Sequence, residues 1–203
     1  MKRLWMLFAA VLLMGFLVLG WVGTEIYREM PPIPDRIVTS DGQTVIDSGQ
    51  ITAGQNVWQA LGGMEVGSVW GHGSYVAPDW TADYLHREAV FMLNRWAEEE
   101  FDVPFDELEE EYQGQLIARL SQQFRANNYD PNTGTLTLSP LRAEAFAANV
   151  DHYADVFIAG NADYAIPPDA VSSEDRVRKL TSFFFWSSWS AIALPATTLF
   201  GRA

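Results

Sequence analysis

The sequence of 203 residues contains no cysteine. Without cysteine the chain can form no disulfide, no thiolate metal site, no cysteine nucleophile and no covalently attached c-type haem. Histidine is also scarce, with only His72, His86 and His152. None of these lies four residues from another or in a His-x-His pair, the spacings that bring metal ligands together on one element. We therefore predict that this chain has neither a metal nor a cofactor of its own.

Basic residues are few as well, since 13 Lys and Arg stand against 26 Asp and Glu, for a formal net charge of −13. Nucleic acids are bound largely through Lys and Arg contacts to phosphate, so the composition argues against a nucleic-acid partner. The sequence shows no Ser/His/Asp order, nucleotide-binding loop or pair of catalytic carboxylates, and we predict no catalytic residue. Its length suffices for one domain together with membrane segments.

Charge is missing from residues 4–23, which follow Lys2 and Arg3. A helix rising about 1.5 Å per residue needs about twenty apolar residues to cross a hydrocarbon core of about 30 Å. The pattern therefore predicts a transmembrane helix over residues 4–23. The alternative is a cleaved signal peptide, although residues 19–23 make a poor cleavage site. The two basic residues favour a cytoplasmic N-terminus, which places the chain after Thr24 outside.

Charge is missing again from residues 181–201. This length predicts a second transmembrane helix within residues 176–203, and the alternative is a buried or interfacial helix. Five aromatic residues lie within seven positions here, so they surround the helix instead of forming one stripe. We expect Phe184, Trp186 and Trp189 to contact a partner subunit; the alternative is an aromatic belt that faces lipid.

The residues between these segments predict a mainly α domain with one small β-hairpin. Asp41-Gly42 separates two short β-branched runs, which is a hairpin signal. Ser139-Pro140 and Ser172 or Ser173 are helix-start signals. Apolar spacing predicts helices near residues 53–61, from residue 80, and near 105–127 and 140–160, with a short strand at 135–138.

The rest of the chain is organised around residues 54–88, which contain six glycines, three tryptophans and a single arginine with no lysine. Glycine is needed where the backbone takes a positive φ or approaches another group closely, and tryptophan combines a large apolar body with one polar N–H. We predict helix, glycine-rich loop and helix in this order. The structural residues expected here are Trp58, Gly63, Trp70, Gly71, His72, Gly73, Tyr75, Pro78, Asp79 and Trp80.

Polar residues at the start of the second of these helices form a further candidate cluster. Asp83 and Arg87 are four residues apart, which predicts an ion pair. Asp79 and Asp83 have the same spacing, and we expect Arg87 or His86 to relieve their repulsion. Glu88 belongs to the same cluster. For His72 we expect a hydrogen bond to the loop backbone, with a pH-responsive contact as the alternative.

The same residues carry a resemblance to a known family. Residues 54–59, the segment GGMEVGSVWGHGSYVAPDWTAD at 62–83 and Leu85-His86-Arg87-Glu88 resemble the N-terminal extramembrane domain of quinol-dependent nitric oxide reductases, in the haem-copper oxidase superfamily. Tyr27, residues 31–34 and the FFFW run at 183–186 stand in the family's order. The resemblance implies a cytochrome c fold that has lost its haem. Cytochrome-bearing relatives carry CxxCH near residues 63–67.

The family resemblance also implies a function. Such enzymes reduce two NO to N2O and water with quinol electrons, using haems and a non-haem iron held by intramembrane histidines. The family pattern ends after the FFFW run and Trp189, so we expect a head without the catalytic helix bundle. This head, residues 24–175, would face the periplasm or cell exterior from the cytoplasmic membrane, either as a separate subunit or as the front of a larger chain.

The partners implied are a catalytic membrane subunit carrying haem b and non-haem iron, the lipid bilayer, and quinol through the complex. The chain would then be part of an oxidoreductase complex without being catalytic alone. Two alternatives remain open at this point. One is a non-enzymatic membrane scaffold or assembly protein, and the other is the equivalent head of a nitric oxide dismutase-like enzyme.

Overall fold

Residues 2–193 are described by a computed structural model, in which the chain forms two units that divide between Pro32 and Ile33. The first unit is helix α1, Lys2–Glu29, whose side chains are exposed along almost its whole length. Within the described part of the chain, α1 is the one helix that is long and apolar enough to cross a membrane. The predicted span at residues 4–23 lies inside it, and its composition suggests a membrane anchor.

The second unit, called the head below, begins with a small sheet. Strands β1, Arg36–Thr39, and β2, Thr44–Ile46, pair antiparallel around Gly42, which has a φ of 90°, and this confirms the predicted hairpin. Strands β3, Tyr129–Asp130, and β4, Thr135–Leu138, extend the sheet in the order β2-β1-β4-β3. The parallel pairing of β1 with β4 was not predicted, because it joins segments that are far apart in the sequence.

Five helices build the rest of the head, and the mainly α prediction is confirmed. They are α2 (Gln50–Ala60), α3 (Trp80–Phe101), α4 (Glu110–Arg125), α5 (Pro140–Ala154) and α6 (Glu174–Ile192). Turns of 3-10 helix occupy Gly63–Val66 and Phe105–Glu107, and a π turn, Asp155–Ala159, extends α5. Ser139 caps α5 by accepting from the Arg142 amide, and Ser173 caps α6 by accepting from the Arg176 amide.

Helix α6 lies in the core of the head, so the described residues give no support to the membrane helix predicted over residues 176–203. It packs against α2, α3 and α5, and every residue along it from Leu180 to Trp189 is buried. Hydroxyl groups on α6 donate to backbone oxygens of the preceding turn, Thr181 to Val177 and Ser188 to Phe184. A helix enclosed by protein can have the same uncharged, apolar sequence as one enclosed by lipid. Residues 194–201 of the predicted span lie outside the described residues.

Two further sequence-based expectations concern α6. The structure groups α6 with the core that starts with β1, and the domain boundary expected at residue 175 stays a prediction. The partner contact expected of Phe184, Trp186 and Trp189 also stays a prediction, and in this structure all three side chains are buried inside the head. Phe184 stacks on Trp80 with ring centroids 5.3 Å apart, and Trp189 packs beside Tyr129.

The contact of α2 with α6 is close enough to require glycine at position 54. A Cβ at this position would overlap the carbonyl oxygen of Lys179 and crowd the Cβ of Phe183, which lies 2.9 Å from the position it would take. Backbone atoms cannot move aside without separating the two helices. Gly54 therefore sets the distance at which α2 packs on the core helix.

We predict that Gly54→Ala lowers the free energy of unfolding of the head by about 1–3 kcal/mol, because the added methyl group overpacks the contact between α2 and α6. Gly114→Ala is the matched control. Gly114 is also helical, but a Cβ there meets no atom within 4 Å, so the change should stabilise by up to about 1 kcal/mol. Urea unfolding of both variants measures the difference. Equal stabilities would contradict the close packing of α2 on α6.

Candidate functional site

The connection between α2 and α3, residues 62–79, is called the glycine loop here. Gly62, Gly67 and Gly73 have φ values of 118°, 116° and 84°, in the region that favours glycine. At Gly67 a second constraint applies, because a Cβ would overlap the indole nitrogen of Trp80. Gly63 opens the short 3-10 turn with a φ of 60°. The glycines thus allow the loop to fold back onto the first residues of α3.

Asp79 holds the glycine loop in place. Its Oδ1 accepts a hydrogen bond from the Ala82 amide at 3.0 Å, which caps α3. Its Oδ2 accepts from the Gly71 amide and from the Ser68 hydroxyl, both at 2.7 Å. The Ser68 oxygen accepts in turn from the Gly73 amide at 2.7 Å. One carboxylate therefore fixes both the helix start and the loop backbone.

Trp70 has an unusual backbone conformation for a bulky residue, with a φ of 56°. A non-glycine residue in this region typically costs about 1–3 kcal/mol and persists only where its surroundings hold it. Here its amide donates to Thr81 Oγ1 at 3.2 Å, and its indole Nε1 donates to the carbonyl oxygen of Ser187 at 2.7 Å. Its ring packs on Trp186 at 5.3 Å between centroids. Even so, about half of the Trp70 side chain, 52%, is exposed.

The other two tryptophans of the segment connect the loop to the core. Trp58 donates from Nε1 to the Gly67 carbonyl at 3.2 Å and packs on Phe183 at 5.6 Å. Trp80 is fully buried and donates from Nε1 to the Val66 carbonyl at 3.0 Å. Each indole N–H thus binds a loop carbonyl while the ring joins the apolar core, as expected for buried tryptophan.

The role predicted for His72 is wrong. The imidazole is exposed and makes no hydrogen bond to any of residues 2–193, so Asp79 and Ser68 take the part expected of it. Tyr75 is fully exposed in the same loop. Pro78 is partly buried and immediately precedes the capping aspartate. Asp79 and Ser68 therefore form the side-chain hydrogen bonds that had been expected of His72.

The polar cluster on α3 is confirmed in part. Arg87 Nε lies 2.9 Å from Asp83 Oδ2, which is the predicted ion pair. Tyr153 of α5 donates its hydroxyl to the same Asp83 oxygen at 2.9 Å, and burial raises the pKa of Tyr153 well above its ordinary value. The Asp79 carboxylate instead accepts hydrogen bonds from Ser68 and Gly71 of the glycine loop. His86 lines a surface cavity on the outer side of α3.

Glu88 has a partner that the sequence reasoning missed. Arg142 Nε lies 2.7 Å from Glu88 Oε1, and both side chains are almost fully buried. The guanidinium group also lies 5.2 Å from the Phe124 ring and 5.8 Å from the Phe185 ring. Burial, together with the Glu88 charge, raises the pKa of neighbouring Tyr84 well above its ordinary value. The sequence feature that could have indicated this partner is Arg142 itself, a charged residue that directly follows the apolar Leu141 near the start of α5.

A surface cavity of about 450 Å³ lies between α3 and α5. Its two arginines are already engaged, Arg87 with Asp83 and Arg95 with Glu99 and Glu144 at 3.6 Å. Burial, with the Arg87 charge, lowers the pKa of His152 at its edge. No group of three or more residues with metal-ligating side chains occurs in the described part of the chain. The polar residues lining the cavity include His86, Arg87, Asn94, Arg95, Asn149 and His152.

The family model of the NorB cytochrome c-like domain of nitric oxide reductase matches residues 34–197. The chain belongs to this family. The match covers the sheet, the glycine loop and α6, and it confirms the resemblance at the level of a NorB-like nitric oxide reductase protein. None of the curated proteins compared with the chain matches it.

The family name raises the question of whether a c-type haem fits this head. Thioether attachment needs cysteines, which the sequence lacks. Residues 63–66, where cytochrome-bearing relatives carry CxxCH, form a 3-10 turn that packs under Trp80. Trp80 in turn contacts the rings of Phe157, Tyr164 and Phe184 at centroid distances of 5.2–6.0 Å. Aromatic side chains therefore fill the space beside this turn, and the residues present do not fit the haem.

We predict that Asp79→Ala lowers the free energy of unfolding by about 1–3 kcal/mol, because it removes a helix cap and two charge-assisted hydrogen bonds. His72→Asn, in the same loop, is the control and should stay within about 0.5 kcal/mol of the unchanged protein, as exposed positions do. Denaturant unfolding followed by tryptophan fluorescence measures both. A loss for His72→Asn as large as that for Asp79→Ala would restore a structural role for His72.

Proposed function

We propose that this chain is the membrane-anchored head of a quinol-dependent nitric oxide reductase assembly, with a structural role and no redox centre of its own. The observation that carries the proposal is the family match over residues 34–197 in a head whose sequence lacks cysteine and whose interior is filled with aromatic side chains. Reduction of two NO to N2O would take place in a catalytic membrane subunit that carries haem b and non-haem iron.

The location proposed for the head follows from the anchor and from charge. Lys2 and Arg3 precede the uncharged part of α1 and favour a cytoplasmic N-terminus, which supports the proposal that the head faces the periplasmic or outer side of the cytoplasmic membrane. The second crossing expected from residues 181–201 has no support from α6, so the proposed topology rests on α1 alone. Quinol would reach the assembly through the catalytic subunit.

A structural role agrees with the chemistry of the buried polar groups. Glu88 forms an ion pair with Arg142. Asp83 pairs with Arg87 and accepts a hydrogen bond from the Tyr153 hydroxyl. These carboxylates therefore bind other side chains of the head and are not left free for acid–base chemistry. Buried pairs of this kind are costly to break, because removing one partner leaves an uncompensated charge. The head is therefore well suited to be a rigid body over a membrane partner.

Co-purification tests the proposal. The tagged chain, extracted from native membranes with a mild detergent, should retain a polytopic subunit with the absorbance of two b-type haems, whereas the chain alone should show no Soret band. A tagged version that ends after Asp35 keeps the anchor and removes the head, and should retain no such subunit.

Two results would contradict the proposal. If mild extraction yields only this chain, and NO-reducing activity in membranes is unchanged after deletion of its gene, the reductase proposal fails. A membrane scaffold with another partner would then take its place. A Soret band at stoichiometric level in the isolated chain would instead overturn the absence of a redox centre.

A further inference from the structure

The glycine loop exposes an apolar surface to solvent. This surface comprises Met64, Trp70, Tyr75 and Val76, each more than half exposed, and is called the loop patch here. The terminal methyl of Met64 lies beside Gly71, 3.6 Å from the position that a Cβ would take there, which brings Met64 near the residue that follows Trp70. Apolar surface of this kind, shown by several neighbouring residues, marks an interaction site more often than a single exposed residue does.

Three of the four residues of the loop patch lie in an uncharged segment. Residues 66–78 contain no Asp, Glu, Lys or Arg, in a chain of which 19% is charged and whose net charge is −13. The acidic residue that follows, Asp79, has both oxygens bound to loop and helix N–H groups and to Ser68. The one exposed charge next to a patch residue in the sequence is Glu65, beside Met64. The part of the patch formed by Trp70, Tyr75 and Val76 is therefore a neutral segment on a strongly acidic head.

Hydrogen bonds fix the position of Trp70 in the loop patch. Trp70 keeps its strained backbone because Ser187 and Thr81 bind its two N–H groups, yet half of its side chain remains exposed. Strain of this size, held in place by several contacts, is typical of functional positions. A loop that had only to connect α2 with α3 would not need a tryptophan in this conformation.

The connector to the anchor limits how far the head can move from the membrane. Six residues, 30–35, separate α1 from β1, and three of them are proline. A fully extended chain spans at most about 3.3–3.6 Å per residue, so the connector reaches roughly 20 Å. The start of the head therefore lies no farther than this length from the end of α1.

We infer that the loop patch lies in the interfacial layer of the lipid bilayer and so sets the orientation of the head on the membrane. Trp and Tyr are the residues enriched at membrane–water interfaces, where the ring is apolar and the N–H or O–H meets water. Anionic headgroups repel an acidic protein, so the neutral surface is the one that can approach them. Met64 and Val76 add apolar area beside the two aromatic rings. This inference does not rest on the proposed reductase function.

The absence of cysteine makes a direct test possible. In Tyr75→Cys the single thiol is labelled with a bimane fluorophore, and the full chain is placed in nanodiscs of phosphatidylcholine and phosphatidylglycerol with or without doxyl-labelled lipid. Glu111→Cys, at an exposed acidic position on α4, is the matched control. We expect quenching by the doxyl lipid to be about threefold greater at position 75 than at position 111, since interfacial side chains sit within the headgroup and acyl boundary.

A second variant tests the cause. Val76→Glu in the Tyr75→Cys background places a charge in the patch and should reduce the quenching at position 75 to that at position 111. Because both positions are exposed, neither change removes packing from the core. Equal quenching at positions 75 and 111 in the original pair would overturn the inference. So would a label at position 75 that is shielded only after a catalytic subunit is added, since the patch would then bind protein. The nanodiscs contain this chain alone, so the quenching result does not bear on the reductase proposal.

Discussion

The packing of α6 inside the head is the constraint on which the rest of the structure depends. Gly54 lets α2 approach the α6 backbone, Phe184 stacks on the first residue of α3, and the Ser187 carbonyl receives the Trp70 indole N–H. Each neighbouring element therefore takes its position from one face of this helix. Burial of the large aromatic side chains of α6 removes apolar surface from water and so stabilises the head.

Features with a local cause could be predicted from the sequence, whereas those with a distant cause could not. The hairpin at Gly42, the caps at Ser139 and Ser173 and the Asp83–Arg87 pair depend on neighbours within a few residues. The parallel pairing of β1 with β4 and the Glu88–Arg142 pair join segments that are distant in the sequence. For α6 the sequence signal itself is ambiguous, because an apolar, uncharged helix suits either lipid or a protein core.

The glycine loop illustrates the same limit at the candidate site. Its composition predicted positive φ values and a structural role for tryptophan, and both are present. The composition did not indicate that Asp79, and not His72, would hold the loop, nor that Trp70 would adopt a left-handed backbone. The loop instead exposes an aromatic surface, Trp70 and Tyr75, on an acidic head. Aromatic side chains pack around Trp80, whose indole N–H binds the loop at Val66.

The central claim is that α6 belongs to the core of the head and not to the membrane. The most direct measurement is thermal unfolding of residues 33–193, produced without α1, in buffer that contains no detergent. The account predicts a soluble monomer with strong near-ultraviolet circular dichroism from its fixed aromatic rings and a single cooperative transition. A polypeptide that remains in the membrane fraction, or that stays in solution only with detergent, would contradict it.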